Sequence, residues 1–328
     1  MRILRWGLLS TARINRSLIP PLRASARNDV VAMASRDLAR AEAYAAQWDI
    51  PQAYGSYEAL LADPDIDVIY NPLPNHLHAA WTIRAAEAGK HILCEKPLAM
   101  TVAEVDAMAA AAEANEVVIA EAFMYRHHPQ TVQLKTLIDS GEIGDLHLIR
   151  GAFSFVLERP GNSKWDPDRG GGALCDVGCY PISLMRYLVG AEPASVMGHQ
   201  VLGETGVDVS FAGTLRFPDD VIGQFDAAFR SQFRMEVEVV GSKGRVHVPF
   251  AFKPRADYPM QLRQGDTVTT LPVAKVQGHL YAGEVEDLYD AVVAGTPPRV
   301  SLAESRGNIA AITALYASAQ AQQPVTLA

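Results

Sequence analysis

Three side chains of this 328-residue sequence have types and spacings that suit proton transfer: Lys96, Asp176 and Tyr180. Asp176 and Tyr180 are four residues apart in a segment predicted to be helical, so they share one face of the helix. A phenol with a pKa of about 10 is too weakly ionised at neutral pH to act as a base, but a neighbouring ammonium favours the phenolate. An ordinary helix pairing of Asp176 with Tyr180 is the alternative interpretation.

Lys96 is predicted to stand at the end of a buried strand. The apolar run His91–Cys94 leads directly into Glu95, Lys96 and Pro97. Ligands of open α/β sheets bind at the carboxyl ends of the strands, and Pro97 keeps Lys96 out of the helical backbone region. A surface lysine beside a helix-starting proline is the alternative interpretation.

A dinucleotide site is predicted at the turn between the first strand and the first helix. Gly7 matches the first glycine of the pattern G-x-G-x-x-G, whereas Leu9 replaces the middle one. Hydroxyl and backbone N–H groups at the positive end of the helix can bind phosphate there. An ordinary strand-to-helix turn is the alternative. The candidate cofactor residues of this turn are Gly7, Ser10, Thr11, Ala12, Arg13 and Ile14.

The end of the second predicted strand favours NADP over NAD. Ser35 and Arg36 stand where an NAD enzyme places an acid on the ribose 2′-hydroxyl, and Arg40 lies one turn along the next helix. A guanidinium matches a 2′-phosphate in shape and charge. Solvated charges at a helix start are the alternative for both arginines. NADP is therefore the expected cofactor, with NAD as the second choice.

The composition is that of an ordinary globular protein. Apolar residues make up 49% and charged residues 20% of the chain, and the net charge is -8, so nucleic-acid binding is not expected. Three cysteines in apolar stretches predict reduced thiols in a cytoplasmic protein, and their spacing fits no metal site. Neither a signal peptide nor an apolar run of about 20 residues is found, so no secretion and no membrane span are expected.

Residues 1–122 are predicted to form a doubly wound parallel sheet of Rossmann type, because short apolar runs alternate with longer amphipathic ones. The predicted strands are Ile3–Leu8, Asp29–Ala34, Val68–Asn71, His91–Cys94 and Val117–Ala120. The predicted helices are Arg13–Ala24, Leu38–Trp48, Tyr57–Leu61, His76–Glu87 and Val102–Ala114, with Asp37 and Thr101 as N-caps.

Residues 123–328 are predicted to form an α+β domain with a large, mostly antiparallel sheet. One or two helices after Phe123 lead into longer alternating runs, which include Val209–Phe217, Val221–Phe229 and Met235–Val240. Two closing helices are expected at about Ala282–Ala294 and Leu302–Gln320. Val209, Phe211, Leu215 and Phe217 would face helices, whereas Ser210, Thr214 and Arg216 would face outward. The outward face is the candidate subunit interface.

Four segments together resemble one family over the whole chain: the glucose-fructose oxidoreductase, inositol dehydrogenase and rhizopine-catabolism (Gfo/Idh/MocA) oxidoreductases. They are Glu95–Pro97, Asn71–His78, Glu121–Arg126 and Gly170–Pro181. The segment that ends in Asp-x-Gly-x-Tyr looks like the branch with D-xylose dehydrogenases and dimeric dihydrodiol dehydrogenases. Inositol dehydrogenases usually carry histidine in place of Tyr180.

The resemblance implies a role for each matching residue. Lys96 and Tyr180 would be the proton-handling pair with Asp176 assisting, and the Lys96–Pro97 bond would be cis. The absence of side chains at Gly170–Gly172 would let the backbone approach nicotinamide or sugar, with a plain flexible loop as the alternative. Further residues would contact the cofactor, although surface or packing roles stay open for the last three: Asn71, Pro72, Leu73, Asn75, His76, Glu95, Arg126, Trp165 and Arg169.

The expected function is that of an NADP-dependent oxidoreductase acting on a sugar or polyol, most simply an aldose 1-dehydrogenase of D-xylose type. Activity as a trans-dihydrodiol dehydrogenase, an anhydrofructose reductase or a glucose-fructose oxidoreductase is the alternative with the same site. A sensor that binds NADP and sugar without turnover is the alternative of another class. By the resemblance, a homodimer or homotetramer forms through the C-terminal sheet.

Overall fold

The chain divides into two units in the computed structural model, which describes residues 2–158, 161–273 and 279–327. The first unit contains residues 2–124 and 279–306, and the second contains residues 125–273 and 307–327. The chain therefore returns to the first unit after the large sheet. The predicted division into residues 1–122 and 123–328 does not include this return.

The first unit is built on a parallel sheet whose six described strands follow the order β3-β2-β1-β4-β5-β6. This order confirms the predicted doubly wound fold, because the chain winds outward in both directions from β1 and β4. The short β3 has no counterpart among the predicted strands, and β6 begins two residues later than predicted. The strands are β1 (Leu4–Leu9), β2 (Asn28–Ala34), β3 (Gln52–Tyr54), β4 (Val68–Asn71), β5 (His91–Glu95) and β6 (Ile119–Ala122).

Helices connect these strands and begin where the sequence provides caps. The Asp37 side chain accepts the N–H of Arg40 at 2.8 Å, and Thr101 and Glu104 form a capping box, which confirms both predicted N-caps. The helix predicted from His76 starts instead with a 3₁₀ turn at Asn75–Leu77. The helices are α1 (Asn15–Ala24), α2 (Leu38–Gln47), α3 (Tyr57–Leu61), α4 (His78–Glu87) and α5 (Val102–Ala114).

The second unit is built on a sheet whose nine described strands follow the order β14-β13-β12-β11-β7-β10-β9-β8-β15. The strand pairs are antiparallel except for β10 and β7, which run parallel. The predicted large, mostly antiparallel sheet is confirmed. The strands are β7 (Leu146–Val156), β8 (Ser195–Leu202), β9 (Asp208–Arg216), β10 (Ile222–Ala228), β11 (Arg230–Gly241), β12 (Arg245–Pro249), β13 (Met260–Gln264), β14 (Thr267–Leu271) and β15 (Val325–Thr326).

One face of this sheet is covered by helix. Val209, Phe211, Leu215 and Phe217 are buried, whereas Ser210 and Thr214 are half-buried and Arg216 is exposed, as the alternation predicts. Helix α7 (Cys179–Val189) packs on β7 and β10, and α6 (Pro129–Asp139) precedes β7. Gly151 and Gly223 leave room on the sheet for Pro181 and Met185 of α7.

Two helices close the chain, α8 (Ala282–Ala294) and α9 (Leu302–Ala321), at the predicted positions. Helix α8 belongs to the first unit, where Arg27 stacks on Tyr289 and donates to Glu286 and Asp290. Most of α9, from residue 307, belongs to the second unit. Within the described ranges, no helix is long and apolar enough to cross a membrane.

Candidate active site

The candidate cofactor residues of the first unit lie at one edge of its parallel sheet. Ser10 follows β1, Ser35 follows β2, Pro72 follows β4 and Lys96 follows β5. Because β1, β2, β4 and β5 run parallel side by side, their carboxyl ends meet at the same edge. The structure thus brings these four positions together within one unit.

The turn after β1 has a conformation that the glycine pattern does not predict. Ser10 adopts a left-handed backbone with φ of 66°, and the Asn15 amide donates to its carbonyl oxygen at 2.9 Å. Gly7 lies inside β1, where an added Cβ would come within 3.1 Å of Leu60. The missing side chain of Gly7 therefore makes room for α3, and its contact with a cofactor stays a prediction.

A pair of arginines lies beside this turn. Arg40 Nε donates to Thr11 Oγ1 at 2.9 Å, and both Arg36 and Arg40 are exposed. Both guanidinium charges also act on the Tyr57 phenol, so the two side chains lie in the same region. An exposed cationic pair next to a strand-to-helix turn fits a phosphate on the ribose of a dinucleotide.

The segment after β4 is held mainly by its own side chains. Asn71 is fully buried, and its amide donates to the His78 carbonyl and to Thr82 Oγ1, both at 3.1 Å. Its oxygen accepts the N–H of Leu73 at 3.3 Å. Asn71 thus shapes the turn that was predicted to line the cofactor, and Leu73 at its centre is buried as well.

His78 joins this turn to the segment that carries Lys96. Its ring nitrogens lie 2.7 Å from the Leu73 carbonyl oxygen and 2.8 Å from the Pro97 carbonyl oxygen. Burial lowers the pKa of His78 to about 4 against the opposing effect of these two oxygens. The imidazole is therefore neutral at neutral pH, so one ring nitrogen donates to one of the two carbonyl oxygens and the other nitrogen only lies close to the second. The buried ring lies between two candidate cofactor segments.

The segment around Lys96 is fixed on both sides. The Lys96–Pro97 bond is cis, as the resemblance implied. Glu95 accepts a hydrogen bond from the Tyr70 hydroxyl at 2.6 Å, and the buried Glu121 accepts the N–H of Leu98 at 2.9 Å. These contacts fix the backbone from which the half-buried Lys96 extends.

Asp176 and Tyr180 lie at the start of α7 in the second unit. The structure differs from the predicted regular helix, because Leu174–Gly178 forms a π-helical turn before α7 begins at Cys179. Such turns are rare in proteins, and those that occur are often found at functional sites. Both Asp176 and Tyr180 are buried, and Asp176 Oδ2 accepts a hydrogen bond from the Lys164 ammonium at 2.5 Å.

Aromatic rings surround Tyr180. Its ring centroid lies 5.4 Å from Phe153 and 5.4 Å from Phe252, and 5.8 Å from Tyr125. Phe153 and Phe252 stack on each other at 5.6 Å. Aromatic pairs in this range are favourable beyond their buried area. The phenol is therefore carried on a rigid apolar support.

Gly171 packs against the chain itself. An added Cβ would lie 2.5 Å from the Lys164 carbonyl oxygen, and the N–H groups of Gly171 and Gly172 donate to the carbonyls of Asp166 and Lys164 at 2.9 and 3.0 Å. Backbone approach was predicted for this turn, but with nicotinamide or sugar as the neighbour. The turn anchors the segment that carries Lys164 to Asp176, and its approach to nicotinamide or sugar stays a prediction.

The other predicted residues of the second unit have contacts of their own. Arg126 is buried and lies 3.9 Å over the Tyr187 ring, and Trp165 packs edge-on against Phe229 at 5.3 Å. Arg169 pairs with Asp166 at 3.0 Å. Cofactor contacts by Arg126, Trp165 and Arg169 stay predictions.

Lys164 was missed by the sequence reasoning. It stands 12 residues before Asp176 in a segment of short 3₁₀ turns, Ser163–Trp165 and Pro167–Arg169, without any helical or strand period. Only its proximity to the glycine run and to Asp176 in the sequence could have indicated it. Likewise, His78 was given no role of its own, since its two carbonyl neighbours are not readable from spacing.

Comparison with known proteins identifies both parts of the chain. Residues 4–123 match the oxidoreductase family with an NAD-binding Rossmann fold, and residues 131–247 match the GFO/IDH/MocA C-terminal domain. D-xylose 1-dehydrogenase (NADP(+)) 2 of Haloferax volcanii is 37% identical over 98% of this chain and 99% of its own length. Trans-1,2-dihydrobenzene-1,2-diol dehydrogenase of Xenopus laevis is 35% identical over 76% of this chain and 77% of its own length.

A solved structure agrees with these matches. A 3-ketoreductase from Actinomadura kijaniata, in complex with NADP and TDP-benzene, is 30% identical and superimposes with a TM-score of 0.89. The match covers 97% of this chain and 98% of the ketoreductase. The fold and the sequence thus point to the same group of enzymes.

The state of His78 can be tested by its pH response. Because its pKa is lowered to about 4, the imidazole resonance, identified by its loss in His78→Gln, should not move between pH 8 and pH 5 in nuclear magnetic resonance spectra. The unfolded chain binds a proton near pH 6.5, so the stability that the neutral ring provides is lost as the pH falls from about 6.5 to about 4. A midpoint near pH 6.5 in the folded protein would contradict the neutral state of the buried ring.

Proposed function

This chain belongs to the GFO/IDH/MocA family of oxidoreductases, and we propose that it transfers a hydride between NADP and C1 of an aldose such as D-xylose. The setting of Tyr180 is the observation that carries the proposal. Its phenol is buried among aromatic rings, one turn from an aspartate that is paired with an ammonium. The relative named as a D-xylose 1-dehydrogenase, which spans nearly the whole chain, supports the substrate class.

In the proposed reaction, oxidation of the sugar releases a hydride from C1 and a proton from the hydroxyl oxygen on C1. Tyr180 accepts the proton, and Lys96 assists because an ammonium favours the phenolate. Asp176 accepts hydrogen bonds from the sugar hydroxyls and is itself held by Lys164. NADP, when bound, supplies the acceptor of the hydride. The sugar is thereby converted to its lactone.

NADP would be held by the first unit and the sugar by the second. The turn at Ser10 and Thr11 offers phosphate donors at a helix start, and Arg36 and Arg40 suit the 2′-phosphate. NADP is also the cofactor in the names of the xylose dehydrogenase and the ketoreductase complex. We further propose a homodimer or homotetramer that forms through the outward face of the large sheet.

A trans-dihydrodiol dehydrogenase is the second candidate. The dihydrodiol enzyme of Xenopus laevis is 35% identical, and the buried aromatic rings around Tyr180 give it an apolar setting that would suit a planar, partly unsaturated ring. This substrate differs from an aldose in its apolar half. Comparison of the two substrates under the same conditions decides between them.

The function is tested by a panel of aldoses, inositol and a trans-dihydrodiol, with NADP and detection of the reduced nicotinamide. D-xylose or a related aldose should be oxidised fastest, and Tyr180→Phe should lower kcat/KM by about 100-fold or more because the proton acceptor is lost, with NADP affinity unchanged. Tyr258→Phe, at an exposed tyrosine, is the matched control. A protein that binds NADP but oxidises none of these substrates, or a fully active Tyr180→Phe, would contradict the proposal.

The cofactor preference is tested at Arg36. A hydrogen-bonded charge pair with the 2′-phosphate contributes about 1.5–3 kcal/mol, so Arg36→Ala should lower kcat/KM for NADP by about 10- to 100-fold. The value for NAD, which has no 2′-phosphate, should hardly change. Arg23→Ala, at an exposed arginine in the last turn of α1, is the control. Equal losses with NADP and NAD would show that Arg36 does not bind the 2′-phosphate.

A further inference from the structure

Gly172 lies against a buried carboxylate that none of the predicted roles uses. Its backbone is left-handed with φ of 120°, and an added Cβ would overlap with Oδ1 of Asp208. Asp208 is the first residue of β9 and is only 2% exposed. The glycine thus allows a carboxylate to come directly under the turn that precedes Asp176.

Asp208 uses both of its carboxylate oxygens, one toward this turn and one toward α9. Its Oδ2 accepts the N–H of Leu174 at 2.7 Å, and its Oδ1 accepts the hydroxyl of Tyr316, from α9, at 2.8 Å. All of these residues belong to the second unit. The carboxylate is therefore fixed by α9 on one oxygen and fixes the π-helical turn with the other.

The bond to Leu174 acts as a helix cap that comes from a distant strand. Leu174 is the first residue of the π-helical turn, and Ala173 before it offers no side-chain cap. A carboxylate that accepts N–H groups at a helix start makes a charge-assisted bond and faces the positive end of the helix. The direction of the segment with Asp176 and Tyr180 thus depends on Asp208.

The charge of Asp208 changes in an accessible pH range. Burial raises the pKa of Asp208 to about 6, more than its hydrogen bonds lower it. The groups that bond to it are the Tyr316 hydroxyl and the backbone N–H groups of Leu174, Ala173 and Asp208 itself. The Cys175 thiol lies 3.6 Å from the Tyr316 oxygen. Burial and the nearby Asp208 raise the pKa of Tyr316, so this phenol stays a donor.

We propose that Asp208 is a positioning residue, whose carboxylate holds the Gly172–Leu174 turn and thereby aims Asp176 and Tyr180 at the substrate. This inference rests on the proposed function, since it assigns a support to the same reacting groups. Above about pH 6 the ionised carboxylate accepts a charge-assisted hydrogen bond from the Leu174 N–H, and below this pH the neutral acid accepts a weaker one. We therefore expect kcat to fall on the acid side of its pH profile, here called the acid limb, as Asp208 becomes protonated.

The test compares Asp208→Asn, which keeps the shape, with the wild-type enzyme. We expect kcat to fall about tenfold at pH 8, because small displacements of reacting groups are costly, while the Kd for NADP stays unchanged. The acid limb near pH 6 should vanish in Asp208→Asn. Asp266→Asn, at an exposed aspartate in the turn between β13 and β14, is the matched control. Unchanged kcat with the limb retained overturns the inference.

Tyr316→Phe keeps the test decisive if Asp208→Asn fails to fold. It removes one hydroxyl and leaves the Leu174 bond, so kcat should fall only about threefold. The acid limb should move to higher pH, since the carboxylate loses a donor. An acid limb at the wild-type pH in Tyr316→Phe overturns the inference.

A measurement without turnover separates this inference from the proposed function. In protein labelled with ¹⁵N-leucine, the Leu174 amide resonance should titrate with a midpoint near pH 6 in the wild type and not in Asp208→Asn. A Leu174 amide that does not titrate overturns the inference even in an active enzyme. A titrating amide in a protein that oxidises no substrate of the panel contradicts the proposed function and leaves the helix cap standing.

Discussion

The candidate catalytic helix begins at a turn where the chain leaves no room for side chains. Gly171 faces the Lys164 carbonyl oxygen, and Gly172 faces the Asp208 carboxylate. Both neighbours hold the π-helical turn in place, because Lys164 pairs with Asp176 and Asp208 binds the N–H of Leu174. A methyl group at either glycine would push these supports away. Close packing of the turn is thus the condition for the placement of Asp176 and Tyr180.

In the first unit, the candidate cofactor segments are also held in place by contacts between side chains and backbone. Its candidate cofactor segments follow separate strands, so they need cross-links to keep a fixed spacing. Buried His78 lies between two of them, with one ring nitrogen close to the Leu73 carbonyl oxygen and the other close to the Pro97 carbonyl oxygen. The contact of Arg40 with Thr11 links two others. In both units, polar groups outside the predicted set, namely His78, Lys164 and Asp208, contact segments that carry predicted residues.

The sequence predicted the fold well where the signals are local. Val68–Asn71, Tyr57–Leu61, Val102–Ala114 and Ala282–Ala294 agree with the structure at both ends, because period, caps and apolar runs coincide there. It missed the three-residue β3, which has too few residues for a pattern, and the π-helical turn, which depends on packing under Leu174.

The same division applies to the candidate site. Lys96, Asp176 and Tyr180 were predicted from residue type, spacing and resemblance. Lys164 and Asp208 could not be, since each meets its partner through tertiary structure. The role of the glycines was predicted only in part, because the sequence indicates close approach but not which atoms approach.

Lys96 and Tyr180 are proposed to handle the same proton. A double-mutant cycle tests it: kcat/KM is measured for Lys96→Met, for Tyr180→Phe and for the variant with both changes. The effects of residues that act as a unit do not add in activation free energy, so kcat/KM of the double variant should be about the same as that of the less active single variant. Losses that simply multiply, as expected for Lys96→Met combined with Tyr258→Phe, would contradict the claim.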